Sequence, residues 1–215
     1  MNSDEIWNEI YKKHGFRAKY PDENLIRFIS TKFRNVPDKK SLKVLDLGCG
    51  PGRHIIFLAN QKFSVYGIDA SETAIKMAKN FIEENNITAD IRISEMPPLP
   101  YENDYFDLII DCASIQHIKV DKMNRIFSEI YRILKTGGMF FSIIRSMDDY
   151  ISSSKQIANN TFFNLDDNTG EIHLFDEAEI RSLLKNFTEL NIEHETRTFE
   201  NMSKKRCNWI IAAKK

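Results

Sequence analysis

From Lys43 onward the chain alternates between two rhythms. Short, nearly continuous apolar runs give way to stretches in which apolar side chains return at helical spacing. The runs are KVLDLG, FSVYGID, ADIRIS, YFDLIIDCAS and MFFSIIR. Their length and their valine, isoleucine and aromatic content predict buried strands. Between them, HIIFLANQ and the segments 71–84 and 121–135 carry the helical rhythm. Ser71 is placed to cap the second helix, and Ile75, Ala78 and Ile82 share one of its faces. In the third, Met123, Ile126, Phe127, Ile130 and Leu134 face inward, and KTGG predicts a stop at glycine. MPPLPYEND is a loop, because its three prolines can continue neither a helix nor a ladder.

Strand alternating with helix implies a parallel sheet covered on both faces, a doubly wound α/β arrangement. The C-terminal part differs. Segment 176–187 predicts a helix with Asp176 and Glu179 as a capping box and Ile180, Leu183, Leu184 and Phe187 inside. TELNIEHETRTF and RCNWIIAAKK then read as an antiparallel hairpin closing one sheet edge, with SKKRC as a solvated turn. Residues 1–38 form an aromatic-rich helical cap holding Trp7, Tyr11, Tyr20 and Phe28. Residues 146–174 form a loop-rich insert. Loops of that length are often lids, although Ser152 to Asn160 reads equally as plain surface.

Composition narrows the classes. A chain of 215 residues buries a core without disulfides or metals. Its three cysteines, Cys49, Cys112 and Cys207, are scattered and lack a C-x-x-C pair, so neither a disulfide framework nor a zinc site is expected. The cytoplasm is the expected compartment. MNSDEIWNEIYKKHG is no secretory leader, and no apolar run approaches the ~20 residues of a membrane span. Thirty lysines and arginines against 31 acids give a net charge of −1. No basic stripe marks a nucleic-acid partner.

The chemistry centres on VLDLGCGPGRH. Gly48, Gly50 and Gly52 follow a strand and open a helix, where backbone approaches a ligand closely and free N–H groups meet an anion. A triphosphate would ask for G-x-x-x-x-G-K-[ST], which is absent. A dinucleotide would ask for G-x-G-x-x-G, but the third glycine comes one position early and Asp46 would face the pyrophosphate. A ligand with an ammonium, a carboxylate, a ribose and a base but no phosphate fits better. Asp69, ending the second strand, is placed to take ribose hydroxyls. Asp46, Asp69, Glu95 and Asp111 all fall at strand ends, where open α/β sheets bind ligands, and predict one carboxylate-lined cleft.

In these motifs the chain resembles the class I S-adenosylmethionine-dependent methyltransferases. VLDLGCGPG looks like their first motif and VYGIDAS like their second. ISEMPPLPYENDYFDLII is similar to GDAxxLPFxxxxFDLVV, with Ser94 for glycine and Glu95 for aspartate. EIYRILKTGGMFFSI is similar to ExxRVLKPGGxLxxS. The likeness runs from Leu42 to Ile144. It implies a mostly parallel, seven-stranded Rossmann-like sheet with an antiparallel C-terminal hairpin, in one methyltransferase domain over 1–215. The cofactor core would be 42–145, the acceptor-side insert 146–174, and the terminal helix and hairpin 175–215. It also implies S-adenosylmethionine as cofactor and S-adenosylhomocysteine as product. Asp46 would meet the ammonium directly or through water, Asp69 the ribose, Glu95 the adenine amine and Met96 its ring, with Ala70 packed nearby. Asp69 as a mere helix cap is the competing reading. Cys49 and Cys112 would be small cleft-lining residues, not nucleophiles. GCGPGRHIIFLA, with Arg53, is similar to tellurite-resistance-type small-molecule methyltransferases.

His117, in DCASIQHI, matches a histidine the family often carries and serves either as general base or to orient a loop. His173 and Glu171 are weaker candidates. Tyr11 and Tyr20 either close over the cofactor or pack in the core. Asp111-Cys112-Ala113-Ser114 is not the [DN]-P-P-[YFW] of amino-group methyltransferases acting on DNA or glutamine, and no Pro-Cys nucleophile is present. The expectation is methyl transfer to oxygen or nitrogen of a small molecule admitted between 1–38 and 146–174. A nicotinamide-dependent oxidoreductase and a non-catalytic cofactor-binding partner subunit are the alternatives. Oligomeric state stays open.

Overall fold

The computed structural model describes residues 3–14, 19–149, 155–163 and 169–215. Two helices, α1 (Ser3–His14) and α2 (Glu23–Lys32), precede the alternating core. The core runs β1 (Lys43–Leu47), α3 (Arg53–Asn60), β2 (Ser64–Asp69), α4 (Glu72–Glu84), β3 (Asp90–Ile93), β4 (Phe106–Cys112), α5 (Met123–Ile133) and β5 (Leu134–Arg145). After it come β6 (Lys155–Ala158), β7 (Thr161–Phe163), β8 (Glu171–His173), α6 (Glu177–Leu183), β9 (Glu189–Phe199) and β10 (Lys204–Lys214).

The seven-stranded sheet has the order β3-β2-β1-β4-β5-β10-β9. Strands β1 to β5 pair in parallel, while β10 runs antiparallel to both β5 and β9. Period-two alternation sorts the side chains into two layers. Val44, Leu108, Ile110, Phe141 and Ile143 pack under α2, α3 and α4. Leu45, Ile109, Phe140, Ile144 and Ile211 pack under α5 and α6. Strand order reverses between β1 and β4, so the crevice that such sheets use for ligands opens there.

Three expectations need correction. Helix α5 buries Met123, Ile126, Phe127, Ile130 and Ile133 and stops at Ile133, not at KTGG. Leu134, expected on its inner face, is extended and fully buried as the first residue of β5, paired with Phe106. Pairing and burial override the glycine signal. Gly137 and Gly138 instead bring in the chain end, exchanging backbone hydrogen bonds with Lys215. Second, the loop-rich insert also carries strands that were not expected: β6, β7 and β8 form an antiparallel sheet over a small core of Phe162, Ile172 and Leu174. Residues 150–154 and 164–168 of the insert, including part of the Ser152 to Asn160 stretch, lie outside the described residues. Third, SKKRC is mostly strand, since β10 begins at Lys204.

Helix α6 is shorter than expected, with Leu184 as its C-cap. Its capping box is half formed. Asp176 Oδ1 accepts from Glu179 N at 2.8 Å, but the Glu179 carboxylate turns to His173 Nε2, 3.0 Å away.

Candidate functional site

Gly48, Gly50 and Gly52 all adopt positive φ, at 65°, 52° and 94°. Two are also held by contact. A Cβ on Gly48 would stand 2.2 Å from Ser114 Oγ, and one on Gly50 would stand 3.0 Å from the Tyr11 hydroxyl. Asp69 ties this turn to the next strand: one carboxylate oxygen accepts from Gly50 N and the other from Ser71 N, each at 2.8 Å. The cap of α4 is Ser71, whose hydroxyl accepts from Ala74 N at 3.1 Å and donates to Asn8 Oδ1 at 2.7 Å. Asp69 is therefore not the helix cap.

Above the turn lies a cavity of about 430 Å³. The structure brings Gly48, Cys49, Gly50, Asp69, Ala70, Glu95, Met96, Cys112 and His117 to its wall. Gly52 does not line it; as N-cap of α3 it packs against Ala78 instead. Asp46 and Asp111 do not line it either, so the four-acid cleft is corrected to two wall acids with two carboxylates underneath. Asp46 is 1% exposed, and its Oδ2 has no hydrogen-bond partner among the described residues. Burial pushes this carboxyl well above the usual range, against the opposing pull of Arg53. His54 Nδ1 stands 3.8 Å away. Burial, then Arg53, hold that imidazole well below its usual range, so it stays neutral. Asp111 accepts from Ser114 N, Ile115 N and the Ser142 hydroxyl at 2.9, 3.0 and 2.7 Å. Burial still lifts its pKa to about 6.

Trp7 and Tyr11 of α1 complete the wall, whereas Tyr20 is 76% exposed and outside it. Trp7 meets His117 edge to face at 5.1 Å. His117 Nδ1 lies 3.0 Å from the Glu171 carbonyl oxygen, which can only accept, so Nδ1 carries a proton and in the neutral ring the lone pair is on Nε2. Gln116 Nε2 faces that lone pair at 3.4 Å, while its Oε1 accepts from Arg145 N at 2.9 Å. Glu171 thus contributes through its backbone, not its carboxylate. His173 is buried between Thr161 and Glu179, away from the cavity. Burial raises the Cys49 and Cys112 thiols well above their usual range, which suits wall residues and not nucleophiles.

Several wall residues carried no sequence signal of their own: Ala113, Ser114, His54, Lys119 and Lys122. Ala113, at φ 69°, makes the bend that lets Ser114 reach under Gly48, where its hydroxyl donates to the Gly48 carbonyl at 3.1 Å. Among the described residues no group of three His, Cys, Asp or Glu is placed to hold a metal ion. None of the described helices is long and apolar enough to cross a membrane.

The family described as "Methyltransferase domain" matches residues 44–138, the segment that carries the glycine turn, Asp69, Glu95 and His117. Over that segment the chain is similar to the class I S-adenosylmethionine-dependent methyltransferases. Among curated relatives, the ubiquinone biosynthesis O-methyltransferase of Bartonella tribocorum is 32% identical over 101 residues, 47% of this chain. The match spans only 40% of that relative's length. The fold recurs in a SAM-dependent methyltransferase of Methanosarcina mazei, at TM-score 0.65 and 22% identity over 80% of this chain and 92% of that one. It recurs also in TehB from Haemophilus influenzae, at TM-score 0.66 and 19% identity over 98% of this chain and 67% of that one. The family's cofactor is S-adenosylmethionine. The residues present fit such a group. Gly48 and Gly50 leave no room for a Cβ without a shift of Ser114 or Tyr11, an acid stands at the end of β2, and beneath the turn Asp46 holds a buried oxygen with no hydrogen-bond partner among the described residues.

Proposed function

We propose that the protein transfers a methyl group from S-adenosylmethionine to an oxygen or nitrogen of a small-molecule acceptor. The observation that carries this reading is the cavity over a glycine turn backed by a buried acid. A nicotinamide dinucleotide would set its pyrophosphate against that turn, over Asp46, at an electrostatic cost. In our reading Asp69, at the end of β2, accepts from ribose hydroxyls. Glu95 and Met96 hold the adenine amine and ring, with Ala70 beside them. Gly48, Cys49, Gly50 and Cys112 let the ligand lie against the backbone. Gly52 acts indirectly, by opening α3. Asp46 acts from below, by its field and through water.

Bound S-adenosylmethionine supplies a methyl group on a sulfonium, an electrophile with a good leaving group already in place. The chain's work is then to hold a nucleophile near and in line. Trp7, Tyr11 and His117 wall off water from that end of the cavity. His117 Nε2 takes the acceptor's proton once the acceptor displaces the Gln116 amide; Glu171 holds the ring in the required tautomer. Residues 42–145 supply the cofactor side. The cap at 1–38 supplies part of the acceptor wall, and the insert at 146–174 the carbonyl that orients His117. The name of the Bartonella relative favours oxygen as the methylated atom.

Calorimetry with S-adenosylhomocysteine on the wild type and Asp69→Ala tests the site. Micromolar binding, weakened about 10²-fold or more by the substitution, is expected. A wild type that ignores S-adenosylhomocysteine and binds NADH overturns it.

A further inference from the structure

The cavity wall carries three cations, Arg53, Lys119 and Lys122, against two carboxylates, Asp69 and Glu95. None of the three cations has an ion pair among the described residues. Asp111 lies beneath the same wall, so the charges of the site as a whole are near balance, and what marks it is where they stand.

The charges are segregated. Glu95 follows β3 and Asp69 ends β2, on one side of β1. Lys119 and Lys122 follow β4, on the other side, next to His117 and Ile118. That is the end where Trp7 and His117 meet. Resting on the cofactor reading above, filling the site does not neutralise the lysine end. S-adenosylmethionine carries a sulfonium and an ammonium against one carboxylate, so it brings no surplus anion to Lys119 and Lys122. A cationic acceptor would be repelled from that end and a neutral one would gain nothing from it; an anionic one would offset the two lysines and be drawn in from solution.

We infer that the acceptor carries a carboxylate or phosphate group, seated between Lys119 and Lys122, with its nucleophilic atom toward His117. The two lysines set which acceptors bind and leave cofactor affinity alone. Val120 and Asp121 between them face solvent, so charge changes at 119 and 122 do not disturb a buried layer.

The test uses the full chain saturated with S-adenosylhomocysteine and three matched probe pairs: 3,4-dihydroxybenzoate against catechol, phenyl phosphate against phenol, and benzoate against benzyl alcohol. Binding is read by calorimetry at low and at high salt. The anionic member of at least one pair is expected to bind about tenfold or more tighter than its neutral partner. That preference should shrink with salt and vanish in the double variant Lys119→Gln, Lys122→Gln, with S-adenosylhomocysteine affinity unchanged. Equal binding within every pair, no binding of any probe, or a preference that survives the double variant overturns the inference. Failure of the unaltered chain to bind S-adenosylhomocysteine sinks the cofactor reading itself, and is seen before any probe is added.

Discussion

Replacing Asp111 by Asn should make the protein more stable at neutral pH. Asp111 sits fully buried at the end of β4 and accepts hydrogen bonds from Ser114 N, Ile115 N and the Ser142 hydroxyl. An asparagine keeps the first two through Oδ1, and the third by rotating the Ser142 hydroxyl to accept from Nδ2. What it removes is a charge held out of water. Burial outweighs the three hydrogen bonds and lifts the pKa from 3.8 to about 6. With the folded value raised, the stabilisation by this group is fully present below 3.8 and is lost as pH rises through about 6. The gap between those two values corresponds to about 3 kcal/mol, an upper bound on the gain from the neutral isostere. Urea unfolding of wild type and Asp111→Asn from pH 4 to pH 8 reads it directly. The two should coincide near pH 4, diverge up to pH 6 and run parallel above it. In a chain of this size, each kcal/mol gained moves the melting point about 2–4 °C. An Asp111→Asn protein less stable than wild type at pH 7, or a difference that does not change with pH, would show that the hydrogen bonds win over burial.

Three further outcomes are expected. His117→Gln should lower kcat about 10²-fold with S-adenosylhomocysteine affinity unchanged; lost affinity would instead make His117 a cofactor-positioning residue. Gly48→Ala should cost about 2–4 kcal/mol in urea unfolding, from its positive φ and the collision with Ser114, and adding Ser114→Gly should recover the collision part alone. Ala113→Gly should stabilise by up to about 1 kcal/mol, because φ 69° suits glycine; a loss of stability would show that the alanine methyl contributes packing.

The sheet was legible because β1, β2, β4 and β5 are buried on both faces and therefore read as near-continuous apolar runs. The glycine turn and the acid ending β2 were legible because both are local. What depends on distant partners was not. Leu134 looks like a helix residue until Phe106 is known to pair with it. Strands of three or four residues, as in β7 and β8, carry too few side chains to show an alternation. Asp46 and Asp111 occupy strand ends like Asp69, and only the packing of His54 and Ser142 against them shows that they point below the cavity. Lys119 and Lys122 sit in an ordinary polar turn; that it converges with α1 and the glycine turn is a property of the fold.

Helix α1 touches the rest of the molecule at the places that form the cavity. Asn8 accepts from the Ser71 hydroxyl and Thr73 N, Tyr11 covers Gly50, Trp7 meets His117, and Ile6 lies against Gly170. Its anchorage is therefore shared with whatever occupies the space beneath it. A ligand in the cavity adds contacts to Trp7 and Tyr11 and ties down the helix, and part of its binding energy goes into that ordering. The amide hydrogens of α1 should exchange with solvent far sooner than those of β1 or β4 in the empty protein, and slow selectively when the cavity fills. The helix is in that sense a built-in gauge of occupancy, readable by hydrogen exchange before any acceptor is known.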